Sequence, residues 1–159
     1  MQRAHLEKIL SFINSIGIPV QECDLPTETF IPGIKIDKGT LLYDPEKLKY
    51  PGDLLHEAGH IALMTPEERR KIAGDVASFR PPGVDDEVAV ILWSYAALKH
   101  IKIPIEVVFH ENGYKGDAQW LIEQLENKTY IGLPLLSWMG MCSEQDFPKM
   151  KAWMRTQSA

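Results

Sequence analysis

The sequence predicts a single α+β domain made of a short hairpin and several helices. Three observations carry this. A chain of 159 residues is the size of one ordinary domain, long enough to bury roughly 70% of the surface its unfolded form would expose. Hydrophobic residues make up 45% and charged residues 25%, the balance of a globular domain, which excludes disordered, collagen-like and low-complexity classes. The hydrophobic period changes from helical to alternating and back, and no repeat, linker or shift in composition divides residues 1–159.

Taken in order, Leu6, Ile9, Leu10, Ile13 and Ile16 recur at helical spacing over 2–16, and Gly17 stands where a C-terminal cap would. Over 29–44 the pattern Phe30, Ile34, Ile36, then Asp37-Lys38-Gly39, then Leu41, Leu42 and Tyr43 predicts a hairpin with a glycine-containing turn. Pro32 makes its first strand short or an edge. Residues 51–64 predict a helix, with Pro51 suited to its first turn and Asp53 where the helix dipole favours an acid. Thr65-Pro66-Glu67-Glu68 is a capping box that starts another helix, so the preceding one ends near Met64. Arg80-Pro81-Pro82-Gly83 is a breaker, followed by a helix over about 85–99. Residues 103–109 are expected to form a strand, 116–127 a helix, and another helix is expected to begin near Phe147-Pro148. The C-terminal part is therefore mainly helical.

The net charge of −5 disfavours a protein that grips nucleic-acid phosphates, since such domains are usually basic. Cys23 and Cys142 lie far apart with no CxxC pair, so they are expected to be reduced thiols rather than a zinc ribbon or a redox site. The N-terminal residues, charged at Arg3, Glu7 and Lys8, do not read as a secretory leader and no apolar run has membrane length, so a cytoplasmic location with no membrane partner is the expectation.

One constellation carries chemistry. Leu54-Leu55-His56-Glu57-Ala58-Gly59-His60 contains HExxH. On a helix, His56 and His60 stand one turn apart on one face, so two imidazole nitrogens can share one ion at about 2.0–2.1 Å, as zinc requires. Glu57, one step round, can reach a metal-activated water without being a ligand and act as general base. Small Ala58 and Gly59 permit another element to approach closely. The competing reading is a surface helix with two solvated histidines, which the apolar flanks Leu54, Leu55, Ile61, Ala62 and Leu63 disfavour.

These residues resemble the zincin-type metallopeptidases. Leu63 and Pro66 stand where the metzincin branch needs Gly and His, and the inverted HxxEH pattern is absent. The gluzincin branch takes its third ligand from a Glu on a later helix, and Glu87, in Asp85-Asp86-Glu87-Val88-Ala89, fits. The 26 residues between His60 and Glu87, together with Trp93-Ser94-Tyr95-Ala96-Ala97, make the segment 53–98 similar to small bacterial zincins of the ImmA/IrrE kind and to related zincin-like proteins. The resemblance implies a zincin-like domain with a small sheet bordering the cleft. It also implies one Zn2+ held by His56, His60 and Glu87, and hydrolysis of a peptide bond in a peptide or protein substrate. Many gluzincins place an acid or Asn shortly after the third ligand; here Ile91 stands one turn on, which leaves Asp75 or Asp85 as candidate partners of a liganding imidazole.

Alternatives stay open. Asp85 and Asp86 adjoin Glu87 but point about 100° apart on a helix, so only one of the three can face an ion. His100, His110 and Asp75 are further rivals, and Glu87 as a simple dipole-complementing acid is another reading. In Phe109-His110-Glu111-Asn112-Gly113-Tyr114, His110 or Tyr114 would stabilise an oxyanion if brought to the cleft, and otherwise they are loop residues. Trp93, Tyr95, Trp120 and Trp138 are expected in the core, and His5 and His100 on solvated helix faces or ends. Two other functions stand beside hydrolysis: a zinc-holding regulator without turnover, and an interaction module in which HExxH is accidental.

Overall fold

The computed structural model describes residues 3–26, 29, 31–71 and 86–157. Helices α1 (Arg3–Ser15), α2 (Gly52–Leu63), α3 (Pro66–Lys71), α4 (Glu87–Ile101), α5 (Ile105–Val108), α6 (Ala118–Glu126) and α7 (Leu133–Trp138) accompany strands β1 (Val20–Glu22), β2 (Ile34–Asp37) and β3 (Thr40–Tyr43). The architecture is mixed α+β, with a three-stranded sheet in the order β1-β3-β2. No helix among the described residues is long and apolar enough to cross a membrane.

The hairpin forms as its pattern predicts. Ile34 and Ile36 are buried while Lys35 and Asp37 are exposed, and the register pairs Ile34 with Tyr43 and Ile36 with Leu41. Lys38 (φ 50°) and Gly39 (φ 81°) both take the left-handed backbone that a two-residue hairpin turn demands, a conformation that Gly39 adopts without steric cost. The strand starts beyond Pro32, at Ile34. Phe30 lies outside the described residues. β1, too short to show a period, adds to β3 in parallel, Val20 opposite Leu41. Thus β3 is central, and it packs on α2.

α2 buries Leu54, Leu55, Ala58, Ile61, Ala62 and Leu63 completely. Each large aliphatic side chain so removed from water contributes roughly 1.5–3 kcal/mol, which offsets the cost of drawing Glu57 and two histidines inside. The capping box is realised: Thr65 N–H donates to Glu68 Oε1 at 2.9 Å, and Glu68 N–H donates to Thr65 Oγ1 at 3.3 Å. Arg69 Nη1 donates to the Met64 carbonyl at 2.7 Å, and Arg155 donates Nη1 to Leu63 O at 3.2 Å and its backbone N–H to Ala62 O at 2.8 Å. The carbonyls left open at the end of α2 thus find donors from both α3 and the C-terminal segment.

α4 crosses α2 and is buried nearly all round, from Ala89 through Leu98 apart from Ile91. A Cβ at Gly59 would stand 3.0 Å from Val90 Cγ1 and 3.0 Å from Trp93 Cε3, so this glycine sets how closely the two helices approach. The buried side chains of α1, the sheet and the later helices form one continuous cluster with them.

Three expectations are corrected. Residues 105–108 are helical, not extended: Pro104 (φ −61°) opens the turn, Phe109 N–H donates to Ile105 O at 3.0 Å, and α5 packs on α2 and α4 rather than on the sheet. No helix starts at Phe147-Pro148, which lies in a run of turns. Instead α7 begins at Leu133, with Pro134 in its first turn. Trp93 and Tyr95 are core residues, but Trp120 is 50% and Trp138 58% exposed; Trp138 carries the Arg155 guanidinium 5.4 Å above its ring. His100 is exposed as expected, with Phe12 and Trp153 beside its ring. The free thiols Cys23 and Cys142 agree with the sequence. The breaker at 80–83 lies outside the described residues.

Candidate metal centre

His56, Glu57 and His60 project from α2 with one potential ligand atom each, all within 4.8 Å of one another, a group that could hold a metal ion. The imidazole planes lie nearly perpendicular, at 84° with centroids 4.9 Å apart. Glu87, the first residue of α4, reaches both rings. His56 Nε2 is 3.0 Å from Glu87 Oε1 and His60 Nε2 is 3.0 Å from Glu87 Oε2. Two nitrogens and a carboxylate therefore converge from two helices, a donor set that suits zinc.

Asp86 takes a different place. It precedes the helix at the N-cap position and is buried, with Oδ1 3.9 Å from His60 Nδ1, the outer nitrogen of that ring. That separation is beyond hydrogen-bond length. Asp75 and Asp85 lie outside the described residues. The helix predicted from about 85 thus has its first helical residue at Glu87.

Burial acts on all three groups, but it decides the direction only at Glu57. It pushes the Glu57 carboxyl above its ordinary value, against the pull of His60 and His56. Burial also acts to raise Glu87, but the hydrogen bonds of His56 and His60 outweigh it and hold that carboxyl well below the usual range. For His60, burial favours the neutral ring, yet the Glu87 bond and the surrounding carboxylates win and raise its value. One acid is thus biased toward holding a proton while the neighbouring acid is biased toward charge.

Two loop residues complete the surroundings. The Tyr114 hydroxyl lies 3.1 Å from His56 Nδ1, its ring edge-on to the imidazole with centroids 5.3 Å apart. Burial pushes that hydroxyl's pKa well above 10. His110 donates from Nε2 to Asp53 Oδ1 at 2.7 Å and stacks on Tyr50 with centroids 3.8 Å apart. Asn112 in turn donates to the Tyr50 hydroxyl. The structure thus brings Tyr114 to the outer nitrogen of a candidate ligand and pairs His110 with Asp53. Sequence reasoning assigned Asp53 to the helix dipole alone. Its position one turn before His56 and Glu57 was the signal that it could share their surroundings.

Compared with protein-family models, with curated proteins and with solved structures, the chain finds no match in any of the three.

Proposed function

We propose that this chain is a zinc-dependent metallopeptidase on a zincin-like scaffold of the gluzincin type. Its metal ligands would be His56, His60 and Glu87, and its general base Glu57. The observation that carries the reading is the placement of both Nε2 atoms 3.0 Å from the two oxygens of one carboxylate, with Glu57 buried beside them. Three protein ligands leave a fourth position for a small molecule, the arrangement of catalytic rather than structural sites. Bound zinc supplies polarisation of a peptide carbonyl and a water whose pKa falls towards about 7.

The chain's own groups do the rest. Glu57 takes a proton from water and passes it to the leaving amine. Of the hairpin strands, β2 has the outer position in the sheet order; Ile34 N–H on that edge already donates to Ile31 O at 3.1 Å, so Ile36 is the β2 residue that would offer main-chain hydrogen bonds to an extended peptide.

Elemental analysis of the purified protein is expected to find about one zinc per chain, lost in His56→Ala/His60→Ala. Glu57→Gln is expected to keep the zinc while cleavage of a mixed peptide library falls by about 10²–10⁴-fold. Full zinc retention in the double variant would sink the metal site. Zinc retained with no cleavage by the wild type would favour a binding role over hydrolysis.

A further inference from the structure

We infer that Tyr114 is a positioning residue for His56, holding the imidazole with Nε2 turned to the metal; this rests on the metal-site reading above. The Tyr114 hydroxyl stands 3.1 Å from His56 Nδ1, while the opposite nitrogen faces Glu87 at 3.0 Å. Both ring nitrogens are thereby engaged, so rotation of the ring about its Cβ bond breaks two contacts at once.

A hydroxyl has a property here that a carboxylate lacks. When His56 Nε2 carries the proton and donates it to Glu87, Nδ1 is an acceptor and the Tyr114 O–H donates to it. When the Nε2 lone pair is committed to a cation, the proton must sit on Nδ1 and the tyrosine oxygen accepts it. A hydroxyl serves both tautomers by turning about its C–O bond, whereas an ionised carboxylate can only accept. Tyr114 therefore satisfies Nδ1 in either arrangement without adding charge to a site that already holds Glu57 and Glu87.

The backbone around Tyr114 points the same way. Tyr114 and Lys115 both take left-handed conformations, φ 56° and 55°, which residues with a side chain rarely hold unless their surroundings impose it. The same loop is anchored to α2 twice, by His110 on Asp53 and by Tyr114 on His56, three residues apart on the helix. Gly113 lies against the His110 ring, where a Cβ would come within 3.2 Å of Cε1. The His110–Asp53 bond thus fixes the loop, and the unusual backbone beyond it aims the tyrosine at the imidazole.

Tyr114→Phe removes one oxygen and keeps the ring contacts with Phe109 and His56. In competition against a chromophoric chelator, its zinc affinity is expected to fall about 10–100-fold, with an unchanged far-UV circular dichroism spectrum. In chelator-stripped protein, the 15N shifts of the His56 ring are expected to differ between wild type and Tyr114→Phe. Phe109→Leu, which loosens the same ring stack without touching the hydroxyl, is expected to leave those shifts in place. A Tyr114→Phe protein that binds zinc as tightly as a zinc-binding wild type overturns the role of Tyr114 and leaves the metal site standing. A wild type that binds no zinc overturns both. Should Tyr114→Phe fail to fold, wild-type His56 shifts showing no hydrogen bond at Nδ1 would still overturn the inference.

Discussion

The two neighbouring acids at the start of α4 take separate places, set by one residue of chain. Glu87 faces the inner nitrogens of both histidines, while Asp86 stands 3.9 Å from the outer nitrogen of His60. Glu87→Ala is therefore expected to weaken zinc binding by more than the roughly 10–100-fold that loss of an outer partner costs, and Asp86→Ala by no more than that; calorimetric titration of both variants checks the order. HExxH was legible because its chemistry is local: four residues of helix place both imidazoles. Glu87 was legible only by analogy, because 100° steps separate three adjacent acids and the helix start decides which one faces inward. The partner of His56 was not legible as such. Tyr114 lies 58 residues away, and no pattern of residue types announces a hydroxyl on an imidazole.

At the level of elements, the site depends on how α2 and α4 cross. Gly59 lies between the histidines in sequence, and a Cβ there would meet Val90 and Trp93 at 3.0 Å. Gly59→Leu forces the helices apart and is expected to destabilise the fold by about 1–3 kcal/mol, read from urea denaturation, with weaker zinc binding because Glu87 moves with α4. Elements with a strong period or a punctuated start, such as α1, the hairpin, α2 and the Thr65 capping box, agree with the sequence. The segment 103–109 does not, because its β-branched run has the composition of a strand while Pro104 and the packing against α2 and α4 make it one helical turn. α7 escaped notice because six residues are too few for a period, although Gly132 followed by Pro134 was its signal.

Across the whole molecule, acid stability should be governed partly by a carboxylate outside the histidine cluster. Asp44 is buried and accepts the Leu25 N–H at 3.0 Å and the Glu46 N–H at 3.0 Å, with Lys47 Nζ 3.2 Å away. The Leu25 bond first, then the Glu46 bond and Lys47, hold its pKa below the usual value in spite of burial. Stabilisation from a lowered pKa is present in full above the unfolded value of about 3.9 and is lost as pH falls through the lower folded value. Asp44→Asn is expected to be less stable than wild type at pH 7, with the gap closing below pH 4; urea midpoints over that range check it. The overall α+β class was legible because hydrophobic period survives averaging over many residues, whereas the parallel pairing of β1 with β3 joins chain segments that share no local signal. The closeness of Trp93 to Gly59, where a Cβ would meet the indole at 3.0 Å, has an optical consequence. Trp93 is fully buried and donates its indole N–H to the Trp153 carbonyl at 3.0 Å, whereas Trp120 and Trp138 are half or more exposed. The blue side of the protein's tryptophan fluorescence is thus expected from Trp93 together with the half-buried Trp153, whose ring lies 5.8 Å from it, and because Trp93 stands where a Cβ at Gly59 would meet it, that emission is a label-free gauge of how α2 and α4 pack.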